Sequence, residues 1–274
     1  MEIDLKGISE RVITQTILRY GMNKLLEVSC VDVVIVGAGP SGMACAYYLA
    51  KNGVKTLVIE RRLSFGGGIG GGGMLIPAVV VQKKLKDILE KDFKIRYIED
   101  EHVLVVDPAE LIAKLATAAI EAGAKFLLGV TVEDILTDKE RRRVTGVVAN
   151  WTAVHMANLW VDPLFIRAQV VVDATGHEAS VVKLAAKKLN VKIEVLGEGP
   201  AIPEIADELV VKYSRKVVPG LYTTGMATAA VYKLPRMGPI FGGMILSGKK
   251  VAEDIIRELR EQKEESSREI AVQQ

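Results

Sequence analysis

The chain has 274 residues, with 36 Lys and Arg against 34 Asp and Glu and a formal net charge of +2; that balance gives no electrostatic reason to expect nucleic acid or a membrane surface as a partner. At 49% hydrophobic and 26% charged residues the composition is globular, which excludes wholesale disorder, and two cysteines, Cys30 and Cys45, exclude a disulfide scaffold and a multi-cysteine zinc site. Mean hydropathy is high at +0.24, yet no apolar run approaches the roughly 18–20 residues of a membrane span, and residues 1–6 carry acids instead of a signal-peptide core. The chain reads as soluble and cytoplasmic, with enough apolar surface to expect buried subunit interfaces.

Residues 9–27 predict a helix, with Ser9 as N-cap and Ile13, Ile17, Leu18, Met22 and Leu25 at helical spacing. Residues 31–36 (VDVVIV) form a short apolar run of the buried parallel-strand type. A glycine turn at 37–42, a helix to about Asn52 and a strand at Thr56–Glu60 complete a βαβ unit of about 30 residues. The stretch 66–73 reads GGGIGGGG, and its place between a strand end and the apolar run MLIPAVVV argues against a linker. Beyond Lys83 a helix to about Lys91 leads to strands near 95–98 and 103–106. Pro108 suits the first turn of a helix reaching Ala122.

Segments 124–128, 130–136 and 144–151 are strand-like. The polar residues 138–143 make the last two a hairpin whose basic triplet 141–143 is a solvated turn. An apolar strand at 165–172 ends in Asp173-Ala174-Thr175-Gly176-His177, and a helix follows from about Glu178 to Leu189. The stretch 190–215, with Gly199, Pro200 and Pro203, reads as irregular, a lid or excursion. A last strand near 216–224 feeds a glycine-rich loop and a helix over about 241–261; the polar residues after 262 are expected to fray. The order of elements predicts an α/β, Rossmann-like fold of the flavoprotein type. It forms one domain over 1–262, with a β-rich insertion at about 95–165.

Gly37-Ala38-Gly39-Pro40-Ser41-Gly42 is GxGxxG set between a strand and a helix. Gly37 permits the tight turn, Gly39 lets a pyrophosphate approach the backbone, and Gly42 lets helix and strand pack closely; the helix N-terminus then faces the phosphates. Glu60 closes the second strand, where an acid holds ribose hydroxyls. Flavoproteins with this layout end their last strand in Gly-Asp, whose acid binds the ribityl chain. Here the matching segment is Leu221-Tyr222-Thr223-Thr224-Gly225-Met226, and a methionine is a weak acceptor. The reading is an ADP-containing dinucleotide without a flavin ring.

Three histidines occur: His102, His155 and His177. His102, beside acids, reads as an ordinary packed or hydrogen-bonded side chain. His177 follows a strand-end glycine at the sheet edge where open α/β folds place ligands, and Asp162 supplies a carboxylate nearby in sequence. One imidazole and one carboxylate with open positions suit a labile Fe(II).

Five segments carry a family resemblance: VDVVIVGAGPSG, VIERRLSFGGGIGGGGM, NWTAVHMANLWVDP, VVVDATGH and GMATAAVYKLPRMGPIFGGMILSGKKVAE. Over nearly its whole length the chain resembles the thiazole synthases of thiamine biosynthesis, which use NAD and glycine. The resemblance implies Ser41, Glu60, Arg61, Gly68, Val132 and Met226 on the dinucleotide, and Asp162 and His177 as iron ligands, Asp162 reaching a neighbouring subunit's site. It implies Arg236 on the glycine carboxylate, a role suited to a planar guanidinium, His155 near that centre, and a homo-octamer.

Two residues before the aspartate, eukaryotic members carry a cysteine that surrenders its sulfur, and archaeal-type members carry histidine and use free sulfide. This chain has Trp160, whose indole has no sulfur to transfer. The expectation is multiple turnover with exogenous sulfide. Ile69-Gly70 stand where relatives often carry a bulky aromatic, and whether Trp160 refills that volume is left open by the sequence. The competing readings are an FAD-dependent oxidoreductase of the same fold and a sugar-phosphate isomerase relative.

Overall fold

The computed structural model describes residues 7–273; residues 1–6, whose acids argued against a signal peptide, lie outside the described residues, as does the last residue of the polar tail. The first predicted helix is α1 (Glu10–Val28), its N-terminus closed by the Ser9 hydroxyl accepting from the Val12 N–H. Only the C-terminal end of α1 reaches the core: Val28 is buried, while Ile13, Ile17, Leu18 and Met22 stay exposed in the single chain.

Strand β1 (Cys30–Val36), helix α2 (Pro40–Lys51) and strand β2 (Thr56–Glu60) follow, with β1 and β2 parallel and Val33 opposite Thr56. Side chains alternate across a strand: Val33 and Ile35 enter the core on one face of the sheet, Val34 and Val36 the core on the other. Burial on both faces is why VDVVIV reads as an apolar run.

The chain then makes β3 (Val79–Gln82), β4 (Ile98–Glu99), β5 (Val103–Val106), α3 (Pro108–Glu121) and β6 (Lys125–Leu128). The helix predicted to reach Lys91 is instead a 3-10 turn at Lys83–Leu85 and a widened π turn at Ile88–Asp92, which carries Asp92 to the Tyr48 hydroxyl at 2.6 Å. Next come β7 (Val130–Thr137), β8 (Val144–Trp151), the short α4 (Thr152–Met156) and β9 (Leu164–Asp173). Strands in the span 95–165 divide by destination. β6 extends the parallel sheet beside β2, β7 and β8 form the predicted hairpin, and β4 and β5 join β3 in a separate three-stranded sheet.

The remaining elements are α5 (Ser180–Lys188), α6 (Pro203–Tyr213), β10 (Arg215–Val218), β11 (Leu221–Thr223), α7 (Met226–Tyr232) and α8 (Gly242–Gln273). Three corrections fall here. The stretch expected to be irregular contains α6, with Pro203 in its first turn, where a missing N–H costs nothing. The strand expected near 216–224 is an antiparallel pair, because Pro219 and Gly220 (φ 76°) turn the chain between Val218 and Leu221. The final helix continues to Gln273, through the stretch read from sequence as a polar tail.

The sheet order is β10-β11-β9-β1-β2-β6. β9 pairs with β1 along one edge, and its other edge is shared by β8 at its start and β11 at its end. From β1 the chain moves outward through β2 to β6 and then returns to β9 on the opposite side of β1. That reversal is a topological switch point, and crevices form there beyond the carboxyl ends of the strands. No helix among the described residues is long and apolar enough to cross a membrane.

Candidate functional site

A cleft of about 640 Å³ opens at this switch point, between the turn after β1 and the turn after β9. The glycines of the first turn do what their spacing predicts. A Cβ on Gly42 would lie 2.1 Å from the Gly37 carbonyl oxygen, so only glycine lets α2 start this close to β1; a Cβ on Gly39 would meet nothing, because it faces the open cleft. With Pro40 in its first turn and no side-chain cap, α2 leaves its N-terminal N–H groups free for an anion.

Glu60 is buried, and both its oxygens are already in use. Oε2 accepts from the Ala38 N–H at 2.8 Å and Oε1 from the Arg62 N–H at 2.9 Å. Each carboxylate oxygen has a second lone pair, so the residue can tie the β1 turn to the end of β2 and still accept from ribose hydroxyls. The GGGIGGGG stretch is no linker: the Gly66 N–H donates to the Ala38 carbonyl at 2.9 Å, which lays the stretch on the first turn, and Ile69 is buried in the core. Arg61 is held bidentately by Glu178, both distances 2.9 Å. Gly37, Gly39, Ser41, Glu60, Arg61, Gly68, Val132 and Met226 all line the cleft. Gly42 sits behind it as a packing position.

The second wall is built by Asp173 at the end of β9, fully buried. Its Oδ1 accepts from the Thr175 N–H at 3.0 Å and hydroxyl at 2.7 Å, and its Oδ2 from the Val182 N–H at 2.9 Å. Burial pushes this carboxyl up, while the Thr175 and Val182 donors pull it back. The result is a rigid turn that presents His177 at the cleft rim.

His177 Nδ1 hydrogen-bonds Glu198 Oε1, and Arg236 Nε lies 3.2 Å from Glu198 Oε2. Both His177 and Arg236 line the cleft. The Arg236 loop is fixed from below: the Arg236 N–H donates to the Pro200 carbonyl at 3.0 Å, and the Gly243 N–H to Asp207 Oδ1 at 2.5 Å. A Cβ on Gly243 would lie 2.2 Å from that oxygen, a physical reason for a glycine in the RMGPIFGGM segment.

Two expected site residues are elsewhere. His155 pairs with Glu133 at 3.2 Å and does not line the cleft. Asp162 sits on the loop between α4 and β9, exposed beside Val161, whose carbonyl accepts from Asn150 Nδ2 at 2.8 Å. Asp162 does not line the cleft that His177 lines. Among the described residues no three His, Cys, Asp or Glu side chains form a metal-ligating group. Among the described residues, then, His177 is not part of a larger ligand group. Trp160 is fully exposed, so within the chain it does not fill space beside Ile69-Gly70.

The cysteines are remote from this chemistry. Cys30 starts β1, six residues from Val36 at the strand end that faces the cleft, or about 20 Å at the rise of a strand. Cys45 is fully buried in α2, and burial pushes its thiol up. Sequence reasoning missed Glu198 and Glu178, which follow no motif. Asp173 carried a readable signal, an Asp two residues before the N–H it caps.

The Thi4 family model matches residues 14–241. The thiamine thiazole synthase of Archaeoglobus fulgidus is 52% identical over 260 residues, covering 95% of this chain and 100% of that protein. That of Pyrobaculum arsenaticum is 53% identical over 255 residues, 92% of this chain and 97% of the relative. The crystal structure of THI4 from Thermovibrio ammonificans superposes with a TM-score of 0.89 at 44% identity, covering 93% of this chain and all of that one. A match over residues 14–241, a shared fold, and half of all residues in common along almost the full length of these relatives place the chain in the Thi4 family.

Proposed function

We propose that the protein is a sulfide-dependent ADP-thiazole synthase, a transferase that converts NAD, glycine and sulfide into an ADP-thiazole carboxylate and nicotinamide over many turnovers. The coarser part follows from the relatives: at 52–53% identity to thiamine thiazole synthases, this is a thiazole-forming enzyme of thiamine biosynthesis. The observation that carries the finer reading is a single cleft whose walls hold both a dinucleotide turn and His177 with Arg236, which Glu198 joins from behind.

In this reading the α2 N-terminus receives the pyrophosphate, and Glu60 accepts from the adenosine ribose. NAD loses nicotinamide, and the ADP-ribose portion isomerises and condenses with glycine. Arg236 holds the glycine carboxylate; its Nε is engaged by Glu198, and the terminal nitrogens are left to grip two oxygens. Glycine is thereby oriented against the sugar carbon, which raises its effective concentration.

His177 suits a metal ligand, since a ligating imidazole donates its other N–H to a carboxylate. The second ligand is Asp162 of another copy. Support comes from its loop, where Leu159, Trp160 and Val161 are exposed beside it, an apolar surface that a neighbouring chain would cover. The uncovered face of α1 supports the same homo-oligomer, expected to be an octamer. Fe(II) held there would supply a Lewis-acidic position for sulfide. His155, paired with Glu133, acts at most through its loop.

Met226 lines the cleft where flavoproteins need an acid, so the nucleotide released on denaturing purified protein should be ADP-containing and colourless. Stoichiometric FAD in that release would return the protein to the flavin oxidoreductase reading. Failure to form thiazole under any iron and sulfide condition would favour a sugar-phosphate isomerase relative.

A further inference from the structure

We propose that Glu198 is a positioning residue that sets the tautomer of His177 and the direction of Arg236 together. The proposal rests on the reading of His177 as metal ligand and Arg236 as glycine anchor.

Glu198 is the fixed member of the trio. Its side chain is 15% exposed, against 60% for His177 and 59% for Arg236. Its backbone is strapped to the segment that bears Arg236: the Gly199 N–H donates to the Leu234 carbonyl at 2.8 Å and the Ile202 N–H to the Arg236 carbonyl at 3.3 Å. The two oxygens are divided, Oε1 to His177 Nδ1 and Oε2 to Arg236 Nε. Glu178, next to His177 in the chain, is taken up by Arg61 and does not compete.

An ionised carboxylate only accepts. The proton of a neutral His177 ring must therefore sit on Nδ1, which leaves the Nε2 lone pair for a metal. Engagement of Arg236 at Nε leaves both terminal nitrogens for a substrate carboxylate. One carboxylate thus prepares the two halves of the site.

The amide of Glu198→Gln separates these roles, because it has one acceptor and one donor. The guanidinium takes the oxygen, the NH₂ faces Nδ1, and the ring proton moves to Nε2. Ring-nitrogen NMR of metal-free, histidine-labelled protein reads this directly, with the His177 signal assigned by its loss in His177→Ala. The expected result is Nδ1–H in the unaltered protein and in Glu198→Asp, and Nε2–H in Glu198→Gln. Anaerobic Fe(II) titration should show about 10- to 100-fold weaker binding by Glu198→Gln, with NAD affinity unchanged as the check on folding. An Nε2–H tautomer in the unaltered protein, or an unchanged tautomer in Glu198→Gln, overturns the proposal. If the tautomers behave as expected and the unaltered protein binds no Fe(II), the role of Glu198 stands and the metal reading of His177 fails.

Discussion

Replacing Glu60 with Gln tests the dinucleotide half of the site at the residue that ties it together. In the native protein Glu60 Oε2 accepts from the buried Ala38 N–H at 2.8 Å and Oε1 from the half-buried Arg62 N–H at 2.9 Å. The amide replaces one oxygen with a donor, so one of those N–H groups faces an NH₂ and is left unpaired. A buried unsatisfied donor costs about 1–3 kcal/mol. At about 2–4 °C per kcal/mol for a chain of this size, Tm without nucleotide should fall by about 2–12 °C. Binding suffers separately, because a charged acceptor for the ribose hydroxyls is lost; at about 1.5–3 kcal/mol that is roughly a 10- to 150-fold rise in the Kd for NAD. Thermal melts and calorimetric NAD titrations of the two proteins measure both effects. Glu60→Gln melting with the native protein and binding NAD equally would refute the assignment of this carboxylate.

Asp173→Asn should destabilise the fold by about 1–3 kcal/mol in denaturant unfolding, since its single amide oxygen cannot serve the Thr175 and Val182 donors that now use two oxygens; an unchanged midpoint would mean that the His177 turn does not depend on Asp173. His177→Ala and Asp162→Ala should each abolish metal-dependent turnover while leaving NAD binding nearly intact. If Asp162 serves a second copy, mixing the two inactive variants should restore part of the activity, and mixtures that stay inactive would place Asp162 outside the site.

The first βαβ unit was legible because three local signals agree: an apolar run buried on both faces, a glycine spacing set by close packing at Gly42, and an acid at the strand end. The hairpin β7–β8 was legible from alternation and its polar turn. The α6 and α7 helices were not. Gly199, Pro200 and Pro203 read as breakers although Pro203 opens a helix, and the seven-residue α7 is too short for a periodic pattern. Pro219-Gly220 was a turn signal inside an apolar stretch, outweighed there by the run of strand-forming residues.

At the site, its place after a strand-end glycine could name His177, and the family resemblance named Arg236. Neither could bring them together, because Glu198 links them through a strap whose position depends on backbone bonds to 234 and 236. Asp162 shows the converse. Its residue type suited a ligand, yet the fold leaves it on an exposed loop outside the cleft that His177 lines.

In the proposed reaction sulfur comes from solution and not from the polypeptide. Trp160 has no thiol to give, Cys45 is buried as a thiol, and Cys30 lies at the far end of β1. Anaerobic incubation with NAD, glycine, Fe(II) and limiting sulfide, followed by mass analysis of nucleotides and of the intact chain, tests it directly. The expected result is ADP-thiazole carboxylate in excess over protein, ceasing when sulfide is exhausted, with the polypeptide mass unchanged. Thiazole formed without added sulfide, at no more than one per chain and with a loss of about 34 Da from the polypeptide, the mass of H₂S leaving a cysteine, would contradict it.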